Sequence, residues 1–205
     1  VTAGTETPGA TPLIVVISGP SGVGKDTLIE RMAELGYTHH FVVTATTRSP
    51  RPGERDGVNH YFVDKEEFEG MISRDELLEW ARVYGNYYGA PKQQVRDALS
   101  RGRHVVLRVD VQGAARLRSI VPEALFLFIL PPSMEVLRGH LITRGVNSDE
   151  DIENRLAAAV EEMKRADLYD YQLVNEEGML DATAARVRAI IERESRRDPP
   201  RRVTI

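Results

Sequence analysis

The stretch Gly19-Pro-Ser-Gly-Val-Gly24-Lys25 places three glycines and a lysine between an apolar run and a helical pattern. Glycines let backbone N–H groups turn inward around phosphate oxygens. A helix N-terminus adds partial positive charge, and a lysine at its start reaches further phosphates. The spacing is that of a phosphate-binding P-loop; the bland alternative is a strand-to-helix turn that happens to carry a lysine. The Ser or Thr that commonly follows the lysine and touches Mg²⁺ is Asp26 here, with Thr27 next. Mg²⁺ takes hard oxygens, often one or two carboxylates plus phosphates, so Asp26 is a candidate ligand. A helix-start carboxylate favoured only by the helix dipole is the competing reading, and both stay open.

A second cluster, Thr44-Ala-Thr-Thr-Arg48-Ser-Pro-Arg51-Pro-Gly-Glu54, sets two arginines three residues apart beside hydroxyls and a turn. Planar guanidinium groups grip a phosphate monoester bidentately, and Pro and Gly turns lower the cost of ordering them. Taken alone, the cluster reads more readily as a solvated loop.

Positioning these groups requires a scaffold, and short β-branched runs alternating with amphipathic helical patterns predict βαβ units around a parallel sheet. Five runs qualify as strands: residues 13–17, 41–43, 104–107, 125–130 and 172–174. A helix is expected from Lys25 to about Leu35, ending at Gly36, and another between Pro91 and Gly102. The segment from Thr46 to Tyr88 breaks the alternation and reads as an inserted lobe, with Asp64-Lys-Glu-Glu67 as the capping box of a small helix. Residues 148–168 form a long charged helical pattern with an Arg-rich approach, a candidate mobile lid. The Thr-, Gly- and Pro-rich residues 1–12 are expected as a disordered leader, and 196–205 as a flexible tail.

The chain has 205 residues, 41% hydrophobic and 28% charged, with a net charge of -4 and no cysteine. The size suits one domain with small inserted lobes. The absence of a basic field disfavours wrapping a nucleic-acid polymer, so phosphate chemistry must use local clusters of positive charge. A disulfide framework, a thiolate nucleophile and a cysteine zinc site are excluded. The apolar run 13–17 is too short for a membrane span or signal core, making cytoplasmic residence the default.

Further motifs occur in order with these: Glu79-Trp80-Ala81, Gly85-Asn-Tyr-Tyr88-Gly89, Val109-Asp110-Val-Gln112-Gly113, Pro131-Pro-Ser133, Arg144-Gly145, Asn154-Arg155-Leu156 and Val174-Asn175. Together with the P-loop and the arginine cluster, this set resembles guanylate kinase from about Leu13 to Ala189. The Gly-Lys-Asp loop and the run through Pro91-Lys-Gln-Gln94 look like the plant organellar type, while the initial Val without a transit peptide fits a bacterial chain. The resemblance implies an α/β fold, a P-loop parallel-sheet core flanked by helices, with an inserted GMP-binding lobe and a helical lid. The corresponding ranges are core 13–45, 91–137 and 169–195, lobe 46–90 and lid 138–168.

The implied reaction is ATP + GMP giving ADP + GDP with Mg²⁺, on small-molecule substrates. By the family pattern, Gly19, Pro20, Ser21, Gly22, Val23, Gly24, Lys25, Asp26, Thr27 and Asn175 form the ATP site. Lys25, Arg144 and Arg155 act on the transferred phosphoryl group. Thr44, Arg48, Arg51, His60, Glu79, Tyr88, Gly89 and Asp110 form the GMP site. The chemistry agrees, since guanine presents N1–H and N2–H side by side and one ionised carboxylate, Glu79, accepts both.

Alternatives remain at single residues: an exposed helix carboxylate for Glu79, a helix N-cap for Asp110, a surface pair with Asp151 for Arg155 and a turn asparagine for Asn175. Alternatives for the whole chain are a relative acting on another phosphate ester, such as ribose 1,5-bisphosphate, and a non-catalytic guanylate-kinase-like binding module.

Several positions depart from the commonest family sequence. Ala90 replaces a hydroxyl that donates to guanine, which would loosen base discrimination by a hydrogen bond of about 0.5–1.5 kcal/mol. His60 stands where a phosphate-binding tyrosine is common, and a protonated imidazole would bind GMP more tightly at low pH. His140 replaces a lid arginine, for which Arg138 is expected to lean in. Arg108 replaces an aspartate and adds positive charge near the phosphates.

Overall fold

The structure, a computed structural model, describes residues 10–83, 85–143 and 148–205. The leader apart from residues 10–12, together with Tyr84 and Arg144, lies outside the described residues.

Among the described residues, nine strands fall into two sheets. The first joins β1 (Ile14–Ser18), β2 (His40–Phe41), β7 (Val105–Arg108), β8 (Leu125–Leu130) and β9 (Tyr171–Val174) in the order β2-β7-β1-β8-β9, every pair parallel. These correspond to the five apolar runs, shifted by a residue or two at their ends. The second strand closes early because the backbone of Val43 leaves the sheet and is satisfied by one side chain. Its N–H donates to Gln94 Oε1 and its carbonyl accepts from Gln94 Nε2.

Both faces of this sheet are covered, as continuous apolar runs demand. Leu13, Val15 and Ile17 pack with Leu28 and Met32 of α1 (Lys25–Glu34), Leu137 of α5 (Met134–Thr143), Ala159 of α6 (Asp149–Met163) and Val187 and Ile191 of α7 (Leu180–Glu194). Ile14 and Val16 face the other way, against Val95 of α3 (Lys92–Ser100) and Leu117 of α4 (Val111–Ile120). The alternation along β1 thus divides the core into two layers.

The second sheet, in the order β4-β3-β6-β5, is built from β3 (Ala45–Thr46), β4 (Tyr61–Phe62), β5 (Leu77–Val83) and β6 (Asn86–Pro91), with α2 (Lys65–Ser73) beside it. Asp64 caps α2 by accepting from the Glu67 N–H at 2.8 Å. Its small core centres on Phe68, stacked on Tyr87 at 5.1 Å, and Leu77. Gly89 on β6 permits this packing, because a Cβ there would lie 2.8 Å from Leu77 and 3.0 Å from Phe68.

The C-terminal segment differs from the flexible tail expected of it. Arg201 is buried, donates to Glu194 Oε2 and the Ala124 carbonyl, and pairs with Asp170, while Val203 and Ile205 pack on the main core. Polar composition suggested nothing to bury, but an arginine with two carboxylate partners is a buriable group.

Candidate active site

The end of β1 runs straight into the glycine loop and α1, so a strand's hydrogen bonding fixes where the loop begins. Gly19, Gly22 and Gly24 all have positive φ, and a Cβ on Gly19 would meet the Ile129 carbonyl at 2.3 Å. No other residue fits there. Lys25 Nζ donates to the carbonyls of Gly19 at 2.6 Å and Pro20 at 2.9 Å, so the lysine folds back along the loop. Burial lowers its pKa to about 8, against the opposing pull of Asp26 and Glu162.

A cleft of about 280 Å³ opens above this loop between the two sheets. On the loop side it is lined by Gly19, Ser21, Gly22, Gly24, Lys25 and Asp26, and on the far side by Thr44, Arg48, Arg51, His60, Glu79 and Tyr88. Asp110 and Arg155 complete the predicted set within it. Among the described residues, five expected ones stand outside this lining, Asn175 among them. Val23 packs in the core, Thr27 is exposed on α1, Pro20 offers its carbonyl to Lys25, and Gly89 serves the lobe core rather than the cleft.

Glu79 lies on a strand, not on an exposed helix. It pairs in register with Ala90, is only 5% exposed, and has one oxygen, Oε2, buried without a hydrogen-bond partner. Residues at alternate positions of β5 share a face, so Ala81 and Val83 line the cleft beside it. Burial, assisted by the nearby Asp110 carboxylate, pushes the Glu79 pKa up to about 8. Gly113 makes the close approach possible: a Cβ there would lie 2.9 Å from Glu79 Oε2. Asp110 does cap α4, accepting the Gly113 N–H at 2.8 Å, and also lines the cleft. Both readings of that residue are therefore compatible.

The arginine cluster is held by a residue whose role sequence reasoning did not assign. Glu54 accepts from both Nη1 and Nη2 of Arg48 at 2.6 Å and from the Arg51 N–H at 2.7 Å. The Arg48 guanidinium holds the Glu54 carboxyl down at about 2. The signal was present, since a carboxylate three residues past Arg51 across a Pro-Gly turn can close that turn.

The surroundings of His60 work against the protonated phosphate binder expected of it. Burial first, then Arg108 and Arg48, lower its pKa to about 4. Its Nε2 lies 3.2 Å from Arg108 Nη2 and its Nδ1 2.8 Å from Thr44 Oγ1. Arg108 also pairs with Asp26 at 2.5 Å.

On the lid side, Arg155 Nη1 donates to Ser21 Oγ at 3.4 Å, while Asp151 closes a capping box with Ser148. Arg138 pairs with Glu153 at 2.5 Å on the surface and does not lean in; His140 instead donates Nδ1–H to the Gly22 carbonyl at 3.1 Å. Glu162, not predicted, lines the cleft from α6. Asn175 donates to the Val23 carbonyl at 3.0 Å, with its Oδ1 buried and unpartnered.

Among the described residues no cluster of three or more His, Cys, Asp or Glu could hold a metal, and no helix is long and apolar enough to cross a membrane.

The guanylate kinase family model matches residues 11–194. The chain is 51% identical over 195 residues to guanylate kinase 2, chloroplastic/mitochondrial, of Oryza sativa subsp. japonica, covering 95% of this chain and 68% of the relative. It is 46% identical to guanylate kinase of Carboxydothermus hydrogenoformans, covering 80% and 81%. The crystal structure of guanylate kinase from Anaplasma phagocytophilum superposes with a TM-score of 0.76 at 33% identity, covering 92% of this chain and 88% of that one.

Proposed function

The chain belongs to the guanylate kinase family and transfers the γ-phosphoryl group of ATP to GMP, and from that premise we propose how its own residues divide the work. The observation that carries the proposal is a single cleft with a phosphate loop on one wall and, on the other, two arginines and a buried carboxylate oxygen without a partner.

On the donor side, loop N–H groups and Lys25 hold the β and γ phosphates, and Arg155 reaches in from α6 beside Ser21. Phosphoryl transfer needs positioning and charge neutralisation rather than a covalent nucleophile, and these groups supply both. Asn175 Oδ1 is an acceptor suited to the adenine amino group. Arg144 is assigned to the lid by the family pattern alone.

On the acceptor side, Arg48, fixed by Glu54, grips the GMP phosphate with Arg51 and Tyr88. Glu79, once ionised, accepts guanine N1–H and N2–H, and dGMP would be accepted by the same groups. A site built for such bonds rejects a base that leaves them unpaired by up to about 10⁴–10⁵.

Asp26 fits Mg²⁺ because it is a cleft-lining carboxylate beside Lys25, and Mg²⁺ asks a protein for one or two such oxygens while the nucleotide and water supply the rest. When bound, the metal would neutralise charge on the transferring phosphates. Closure of the region 138–168 would exclude water and prevent wasteful hydrolysis. Cytoplasmic residence belongs to the same proposal, since the reaction draws on dissolved ATP and GMP.

The test is ADP formation from ATP and Mg²⁺ with GMP, dGMP, AMP, UMP or ribose 1,5-bisphosphate offered in turn, expected to be selective for GMP and dGMP. Lys25→Ala should abolish turnover with GMP binding preserved. Loss of GMP affinity in that variant would show the two walls to be wrongly divided.

A further inference from the structure

Arg108 stands at the end of β7, in register with Ile17, where the parallel sheet hands over to the phosphate loop. Its guanidinium faces two ways. Nη1 pairs with Asp26 on α1 at 2.5 Å, and Nη2 meets His60 Nε2 at 3.2 Å, with the arginine side chain only 19% exposed. His60 in turn meets Thr44 Oγ1 at 2.8 Å. A continuous polar chain, Asp26–Arg108–His60–Thr44, therefore runs along the cleft from the donor wall to the acceptor wall.

We propose that Arg108 is a positioning residue for phosphoryl transfer, acting through Asp26 on the donor and through His60 and Thr44 on the acceptor. The proposal rests on the division of the cleft given above.

The donor half follows from charge. A hydroxyl after the loop lysine is neutral, whereas Asp26 brings a negative charge close to a polyanionic triphosphate. Paired with Arg108, the two residues are together neutral, and the carboxylate is fixed in one direction. Removing the arginine alone withdraws one of the positive charges that balance this carboxylate, and the added net negative charge then acts against ATP.

The acceptor half follows from hydrogen-bond polarity. A guanidinium only donates, so the nitrogen it meets, Nε2, carries no proton. The neutral ring then holds its proton on Nδ1 and donates to Thr44 Oγ1. Having accepted there, the Thr44 hydroxyl keeps its own hydrogen to donate to an oxygen of the acceptor nucleotide, since Thr44 lines the cleft. Were the histidine tautomer reversed, Thr44 would donate to the ring instead and face the nucleotide with lone pairs.

Four variants and one spectrum test this. Arg108→Met is expected to lower kcat/KM for ATP by about ten-fold when Asp26 is present but by no more than about three-fold in a background that already carries Asp26→Ser, the non-additivity of contacting charges. ¹⁵N NMR of the substrate-free protein should show His60 protonated on Nδ1, and a mixture of tautomers once Met replaces Arg108. Arg108→Lys keeps the charge but cannot bridge both partners, so ATP kinetics near the parent should accompany a mixed tautomer; it also serves if the Met variant does not fold. Additive losses in the double variant, or an unchanged His60 tautomer in the Met or Lys variant, would overturn the proposal. Failure of the unsubstituted protein to phosphorylate GMP would instead strike at the underlying reading.

Discussion

Glu79 must carry a charge to accept two guanine N–H groups, yet its surroundings favour the neutral acid. With its pKa raised to about 8 by burial and Asp110, Glu79 in the empty cleft is roughly one-tenth ionised at pH 7. Binding GMP must therefore expel a proton, at a cost of about 1.4 kcal/mol at pH 7 and about twice that at pH 6. The affinity for GMP should rise about ten-fold per pH unit up to about 8 and then level off. Calorimetric titration of GMP alone, in buffers of different ionisation enthalpy, would register close to one proton released at pH 7.

Glu79→Gln separates this from ionisation of the nucleotide itself. The variant loses a charge-assisted bond of about 1.5–3 kcal/mol, so it should bind roughly ten- to a hundred-fold more weakly at pH 8.5. That gap should shrink as pH falls, because only the glutamate bears the ionisation cost. Stability moves oppositely. An acid with a raised folded pKa stabilises the fold fully below its unfolded value of about 4.5, and that contribution is lost as pH rises through about 8. Glu79→Gln should accordingly raise the melting temperature of the empty protein more at pH 8 than at pH 5. Equal proton release by the parent and the Gln variant, or a constant affinity gap across pH 6.5–8.5, would refute the reasoning.

Glu54→Gln should raise KM for GMP about ten-fold with KM for ATP unchanged, because one of the two 2.6 Å contacts that aim Arg48 is weakened; steady-state kinetics in both substrates would check it. Gly89→Ala should destabilise the fold by about 1–3 kcal/mol through overpacking against Leu77 and Phe68, read by thermal melting, with near-normal ATP affinity in what remains folded. The pH dependence of GMP affinity should carry no contribution from His60 between pH 6 and 8, since burial and two arginines hold its pKa down at about 4; a His60 ¹⁵N titration with its midpoint above pH 6 would contradict this.

The two walls of the cleft were unequally legible. The phosphate loop could be read because its parts are contiguous: glycines with positive φ, a helix start and a lysine act on one another within a few residues. The five core strands could be read for the same reason, through runs of apolar residues. β5 and β6 were harder. Glu79 sits in a strand interrupted by a bulge, where the register shifts between Leu77 and Glu79, and neither clean alternation nor a helical period marks it. The family resemblance supplied its role while its burial was undetermined.

What the sequence determined by itself is the inventory and the local geometry: which cations and carboxylates exist, where a loop must turn, and which strands are covered on both faces. Those properties depend on backbone sterics and periodicity over a few residues. Only the tertiary structure decided the states of the groups. Burial and neighbouring charges hold the His60 and Lys25 pKa values down and push that of Glu79 up, and Asp26 meets Arg108. Desolvation and Coulomb interaction depend on what lies within a few ångströms in space, and in this cleft those neighbours come from chain segments far apart in sequence.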